Sequence, residues 1–532
     1  MKKQAVNIIF FCRYEEPRIP ELDLYETLAV QTRLIDAYDF PVTYLLEYDS
    51  LLDERYRSLL LAQKARMGDR CEIGGWFEIV RPLVERAGLT WRGREGYNWD
   101  WHSHVGFSVG YTQEERRRLV DVFMEDFKSF FGTYPKSVGS WVIDAYTLGY
   151  MADAYGVIAS CNCRDQWGTD GYTLWGGYYA QGYYPSRWNM LCPANSVENQ
   201  IPIPVFRMLG NDPIYQVDSK IEMDADCLPD TCLRDCHTLE PVYADPGGGG
   251  NREWVDWFLK ETFTPQTLSF NYVHVGQENS FSWELQGEGT QYQFKRLQEL
   301  QQAGILTLET LSQTGAWYRD TYPVTPAASI TAFSDWHGLG HQSFWYNSRF
   351  YRMNMLVQDG AVLLRDLQLF RDTYTERYYD TPCPSEAMTY DNLPVVDGNR
   401  WSNRRYRAGL HVGYLDGEQL CELTVSFVQV AYPDDHTMEL SLTVPQGVVS
   451  LRCTEDQQVW QCPDGMHLCL WLIADKAKMP DYRVEPQQLV CSQRDFVYTV
   501  QVENGVLKEG KEQMPWLLVS DRNTITLQCF QR

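Results

Sequence analysis

The chain has 532 residues, too many for one hydrophobic core, so two or three domains are expected. Its hydrophobic share of 44% and charged share of 22% are those of an ordinary globular protein, and its formal net charge of -24 argues against nucleic acid and anionic membrane as partners. Fifteen cysteines, an odd number spread through the chain, argue against a disulfide framework and for a reducing, cytoplasmic compartment.

Two lysines and a short apolar run open the chain, and charge returns at Arg13, Glu15 and Glu16. That pattern reads as a first buried strand, Ala5–Cys12, and not as a signal peptide. A helix over Leu22–Tyr38, a strand Val42–Leu46, a helix Glu54–Met67 and a strand Cys71–Ile79 follow. Thr112 and Glu115 form a capping-box signature ahead of an amphipathic helix, Gln113–Gly132. Next come strand Lys136–Ile143, helix Gly149–Tyr155 and strands Val157–Cys161 and Ile203–Met208. Helix Glu253–Glu261, strand Ser269–Gly276, helix Tyr292–Ala303 and strand Leu306–Leu311 complete the alternation. About seven or eight such units predict an α/β fold, an incomplete or distorted (β/α) barrel over residues 1–324. An open doubly wound sheet is the alternative, disfavoured because no G-x-G-x-x-G follows the first strand. The glycine run Gly247–Gly250 reads as a flexible loop.

From residue 325 to 532 helical periods fade. Asn354–Val357 and Ala361–Leu364 flank Asp359-Gly360, and His411–Tyr414 and Leu420–Gln429 flank Asp416-Gly417, both type I′ turn signals. With Thr437–Val444, His467–Ile473, Phe496–Val502 and Thr524–Phe530 they predict an all-β, sandwich-like C-terminal domain. No stretch reaches about 18 uninterrupted apolar residues, so no membrane helix is expected.

In a parallel barrel, chemistry sits where strands end. The residues in or just past the predicted strands include Arg13, Glu15 and Glu16; Glu47 and Asp49; Glu72, Trp76 and Glu78; Asp144 beside Trp141; and His274, Gln277, Glu278 and Asn279. Asp144 and Glu278 each leave an apolar strand for a polar loop, and two such carboxylates are the minimum equipment for glycoside cleavage. Asp144 can equally cap the helix that follows it. Trp99-Asp100-Trp101-His102-Ser103-His104 brings two of the nine histidines into one loop. That loop suits substrate hydroxyls, a metal held by His102, His104 and Glu15, or plain structure. The segment from Arg164 to Tyr184 is crowded with aromatics. Trp167, Trp175, Tyr178 and Tyr183 read as a stacking platform and Asp170 as a grip on hydroxyls, or the segment is a lid packed on itself. Cys227, Cys232, Cys236 and His237 match no common metal spacing and read as ordinary reduced cysteines.

Trp141-Val-Ile-Asp144, with Gly149 downstream, resembles the W-x-x-D of class II α-mannosidases. The region from Val6 to Tyr322 resembles the glycoside hydrolase/deacetylase barrel superfamily, which also holds polysaccharide deacetylases and amylopullulanase-type glucanotransferases. It looks most like a gut-bacterial family of unknown function on that barrel. The resemblance implies a bacterial carbohydrate-active enzyme, with Asp144 as nucleophile or base. Where mannosidases carry His-x-Asp this chain has Arg13-Tyr-Glu15, and where deacetylases carry Asp-Asp and H-x3-H it has Glu15-Glu16 and His102-Ser-His104. Both departures count against metal, so either no cofactor or a single divalent ion is expected. The leading expectation is a glycoside hydrolase with Asp144, Glu278 and Glu15 catalytic. Arg13, Glu78, Asp100, His102, His104, Trp141, Trp167, Asp170, Trp175, Tyr178 and His274 would bind a carbohydrate substrate. A metal-dependent carbohydrate deacetylase and a non-catalytic sugar-binding protein are the alternatives, and a homodimer is allowed.

Overall fold

The computed structural model describes residues 2–162, 177–179, 181–208, 210–218, 221, 237–244, 247–511 and 513–530. Its first half is built on eight strands: β1 (Gln4–Cys12), β2 (Val42–Leu46), β3 (Cys71–Trp76), β4 (Ser137–Ser140), β5 (Ala159–Asn162), β6 (Val205–Arg207), β7 (Asn271–Val275) and β8 (Thr307–Glu309). They pair in parallel in the order β7-β1-β2-β3-β4-β5-β6, and β8 also pairs with β1. Between them run α1 (Leu24–Tyr38), α2 (Glu54–Met67), α3 (Gln113–Phe131), α4 (Ala145–Tyr155), α5 (Arg252–Phe263), α6 (Trp283–Gln302) and α7 (Leu311–Thr321).

The continuous apolar run of β1 reflects burial on both faces. Ala5, Ile9 and Phe11 belong to the barrel interior, while Val6, Ile8, Phe10 and Cys12 pack against the surrounding helices. Inside, Phe11 stacks on Trp76 with ring centroids 4.5 Å apart, and Trp141 meets both rings edge-on at 5.3 and 5.7 Å. This packing needs a glycine at position 139, where a Cβ would lie 2.6 Å from Leu45 and 3.0 Å from Trp76.

The barrel is nearly closed. Among the described residues no ladder joins β6 to β7; Gln181 bridges them instead, its carbonyl accepting from Arg207 N at 3.1 Å and its Nε2 donating to Asn271 Oδ1 at 3.3 Å. Phe206 and Tyr272 pack across the same gap at 4.8 Å. The expected incomplete barrel is therefore what forms.

The second half holds a ten-stranded and an eight-stranded antiparallel sheet over a shared apolar core. The first strand of the larger sheet, Ala328–Ala332, begins after α7 ends at Thr321. Asp359 and Gly360 both take positive φ, 51° and 79°, as the Asp-Gly hairpin signal requires.

Three expectations need correction. Leu420–Gln429 is not one strand: Gln419–Glu422 pairs in the larger sheet and Phe427–Ala431 edges the smaller, because the chain crosses between layers there. The helix expected over Tyr292–Ala303 begins at Trp283, since Gly287 and Gly289 obscure its apolar period. Gly247–Gly250 is not a flexible loop but is packed, as described below. Among the described residues no helix is long and apolar enough to cross a membrane.

Candidate active site at the barrel mouth

Side chains alternate inward and outward along a strand, so inward-facing positions recur every second residue. Extending that alternation past the strand ends takes Phe11 to Arg13, Leu45 to Glu47, Trp76 to Glu78 and His274 to Glu278. The result is a polar layer directly above the apolar plug, at the carboxyl ends of β7, β1, β2 and β3.

Arg13 is its centre. The fully buried guanidinium donates from Nε and Nη2 to both oxygens of Glu78 at 2.9–3.2 Å, and its Nη1 lies 3.3 Å from Glu278 and 3.8 Å from Glu16. The indoles of Trp76 and Trp99 also donate to Glu78, at 2.9 and 3.3 Å, and the Trp99 ring stacks under the guanidinium at 4.3 Å. Asn279 fixes the backbone beneath: its Oδ1 accepts from Arg13 N at 2.8 Å and its Nδ2 donates to Arg13 O at 2.9 Å. Burial opposes the Arg13 charge, but Glu278, Glu78, Glu47 and Glu16 together outweigh it and hold the side chain protonated. Burial also works against the charge of Glu16, yet hydrogen bonds from Arg18 at 2.6 and 2.7 Å and the charge of Arg13 keep it below the usual range.

The remaining carboxyls separate by how much cation each one sees. Glu278 is raised by burial and by Glu78 but pulled back by Arg13. Glu47 is pushed well up by burial and by the charges of Asp49 and Glu78. Asp49 reaches about 7, chiefly through burial. Glu240 also reaches about 7: burial raises it, the hydrogen bond from Thr238 Oγ1 at 2.9 Å restrains it, and the charge of Glu278 raises it further.

Glu240 was missed in the sequence. Its loop is held by the glycine run. Gly249 N donates to Thr238 O at 2.7 Å, Gly250 N donates to Tyr243 O at 2.8 Å, and Gln293 Nε2 reaches both Leu239 O and Gly249 O. A Cβ on Gly249 would stand 2.1 Å from Leu239 O, and Gly248 has φ +118°, so only glycine allows this approach.

A second constellation lies at the ends of β4 and β5. Asp144 caps α4, accepting from Thr147 N at 2.9 Å and Thr147 Oγ1 at 2.6 Å, and its Oδ1 takes a hydrogen bond from buried Arg116 at 3.0 Å. Glu376, from the β-rich half, accepts from Ala145 N and Met190 N, both at 2.9 Å, and is raised to about 7 by burial and by the charge of Asp144. Its segment lies across the barrel: Arg116 donates to Tyr378 O and Tyr379 O, Cys383 N to Val109 O, and Ser103 N to Glu386 O. The structure thus places Asp144 with Arg116 and Glu376, and Glu278 with Arg13 and Glu78. Among the described residues the two expected catalytic carboxylates share no hydrogen-bond or ion-pair partner.

The other expected site residues fall in several places. Asp100 is buried, where hydrogen bonds from Arg94 and His102 outweigh the effect of burial and hold it ionised. These bonds fix the shape of the loop. His102 Nδ1 lies 3.0 Å from Asp100, and its ring stacks with that of His104 at 6.0 Å. Glu15 accepts from Asn98 Nδ2 at 3.4 Å. Among the described residues no three His, Cys, Asp or Glu side chains gather as a metal site, so Glu15, His102 and His104 do not form the donor set a divalent ion needs. Tyr178 is no stacking platform: it is buried, packs on Tyr183 at 6.1 Å and donates its hydroxyl to Pro326 O. Trp141 belongs to the apolar plug, with 7% of its surface exposed. His274 is sealed inside, 3.2 Å from Ile9 O, and burial lowers it to about 4, so it is neutral. Trp167, Asp170 and Trp175, with Cys227, Cys232 and Cys236, lie outside the described residues.

No protein-family model and no curated protein matches the chain in sequence. Among solved structures, a protein of Parabacteroides distasonis assigned as a glycoside hydrolase/deacetylase superposes over 74% of this chain and 90% of its own, at TM-score 0.53 and 12% identity. A Mycobacterium smegmatis protein assigned as a polysaccharide deacetylase matches over 60% and 91%, at TM-score 0.36 and 14% identity. A GH57-type branching enzyme of Pyrococcus horikoshii matches over 60% and 70%, at TM-score 0.31 and 10% identity. The likeness to the Parabacteroides distasonis protein is one of fold: the two chains share the nearly closed barrel.

Proposed function

We propose that the protein is a carbohydrate-active hydrolase of the glycosidase type, working through Glu278 and Glu240. The observation that supports this most is the buried layer above the plug, where two carboxyls that influence each other see different amounts of cation. Glu278 shares the Arg13 charge and serves as nucleophile or base. Glu240, with its carboxyl near 7, carries the proton for the leaving glycosidic oxygen. Glu78, gripped by Arg13 and two indoles, is a positioning residue that fixes the guanidinium. Asp144 moves from catalysis to anchoring, because its oxygens already serve α4 and Arg116.

The roles separate by leaving group. Glu240→Gln should lose orders of magnitude of turnover on natural glycosides but keep much of it on aryl glycosides whose leaving group needs no proton. Glu278→Gln should lose both. Full hydrolysis by Glu278→Gln refutes the assignment, and release of acetate without glycoside cleavage across a panel of acetylated saccharides favours a deacetylase instead.

A further inference from the structure

Glu47 follows β2 in the same inward register that brings Glu78 to Arg13, yet it is bonded in a different way. It is fully buried. Glu78 receives the Arg13 guanidinium and two indoles. Among the described residues no such N–H or O–H group reaches either carboxyl oxygen of Glu47. It stands at the start of the short helix Tyr48–Leu52, and its side chain caps nothing there. Its polar neighbour is the buried carboxyl of Asp49, with which it hydrogen-bonds. Asp49 Oδ1 accepts from Ser50 N at 2.7 Å, and no N–H or O–H group among the described residues reaches its Oδ2.

Two ionised carboxylates only accept, so they cannot hydrogen-bond each other; a proton has to lie between them. A buried charge with no donor is costly as well. The surroundings offer the pair little relief. Glu78 and Glu15 face it and disfavour further negative charge, and burial holds the Cys12 thiol and the Tyr56 hydroxyl neutral. The cation that faces the pair is Arg13, but its Nε and Nη2 are taken by Glu78 and its Nη1 lies beside Glu278. Burial pushes Glu47 well up, and burial brings Asp49 to about 7, so the pair keeps one proton above neutral pH.

We propose that Glu47 is a positioning residue: a neutral carboxylic acid that shares its proton with Asp49 and so leaves the Arg13 charge to Glu78 and Glu278. Were Glu47 ionised, it would divide that guanidinium with both of them. Glu278 would lose most, because it faces a single nitrogen at 3.3 Å while Glu78 is held by two. The part Glu278 plays in hydrolysis rests on the proposed function; the protonation of Glu47 does not.

The test is infrared difference spectroscopy of the full chain just above neutral pH, wild type minus Glu47→Gln. The variant should lose the C=O stretch of a carboxylic acid and no carboxylate band. Loss of a carboxylate band instead means that Glu47 is ionised and overturns the proposal. In Asp49→Asn the Glu47 acid band should persist at a shifted frequency, because its acceptor has changed from an anion to an amide; an unmoved band overturns the sharing. A double-mutant cycle in urea reads the effect on Arg13. The losses of Glu47→Gln and Arg13→Met should add, whereas those of Glu278→Gln and Arg13→Met together should fall short of their sum. Coupling of Glu47 to Arg13 as large as that of Glu278 overturns the sparing of the guanidinium. None of these readings uses turnover. If no glycoside is cleaved and the acid band is present, only the hydrolase reading falls; if Glu278→Gln abolishes hydrolysis and Glu47 proves ionised, only this inference does.

Discussion

Replacing Arg13 with Met tests the ion cluster most directly. In the native fold Glu78 is sealed beneath Arg13, with two indole N–H groups as its other donors. Removing the guanidinium leaves that charge buried with neutral partners only, and breaking one side of a buried pair costs about 3–5 kcal/mol. Glu78→Gln should cost less, because Arg13 keeps Glu278 and Glu16 beside it. The double variant buries neither charge of the pair, so its loss should fall short of the sum of the two by about 2–3 kcal/mol. Urea unfolding followed by tryptophan fluorescence measures all three. The defect also carries a pH signature. Without Arg13 the folded state favours neutral Glu78, so the Arg13→Met deficit should be smallest below the ordinary carboxyl value of about 4.3 and should grow as pH rises. Strict additivity, or an Arg13→Met loss under about 1 kcal/mol, would refute the reasoning.

Other outcomes follow from the same geometry. Asp144→Asn keeps an acceptor for Thr147 N but leaves Arg116 without its counter-charge. It should lose about 2 kcal/mol of stability while retaining most hydrolysis, as read by urea midpoints and initial rates. Asp49, Glu240 and Glu376 each titrate near 7 in the fold, against about 4 when unfolded. The folded chain therefore holds more protons between those values, and stability from these groups is full below about pH 4 and declines as pH rises to about 7. Melting temperatures of Glu376→Gln measured across this range should fall less steeply than those of the wild type, and parallel curves would count against buried neutral Glu376. Gly249→Ala should destabilise the chain by about 1–3 kcal/mol through overpacking and should also lower turnover, because the displaced loop carries Glu240; a thermal melt and a rate assay on one sample separate these effects.

Much of the barrel was legible because its strands are apolar on both faces and its caps are strong. Val42–Leu46 and Glu54–Met67 fall where the sequence pattern put them, and in the structure Asp53 caps the helix. Period-two extension past the strand ends also brings Arg13, Glu47, Glu78 and Glu278 into one layer. Two things stayed hidden. Glu240 sits in a loop with no periodicity, and its placement depends on glycines that allow close backbone approach. Glu376 lies 231 positions from the Ala145 amide it accepts from, and nothing local to either residue marks that pairing. For Asp144 the sequence offered both roles, because a strand-end acid beside a tryptophan looks alike whether it reacts or caps.

The bridge from Tyr378, Tyr379, Cys383 and Glu386 onto Arg116, Val109 and Ser103 has an evolutionary consequence. A barrel cut free at its last helix would leave Arg116 without two of its carbonyl acceptors and main-chain groups unsatisfied along its rim. Such a barrel is a poor candidate for recombination with foreign modules. Changes on either side of that seam should be inherited together, and a bisected gene should yield two fragments that work only when they are brought back into association.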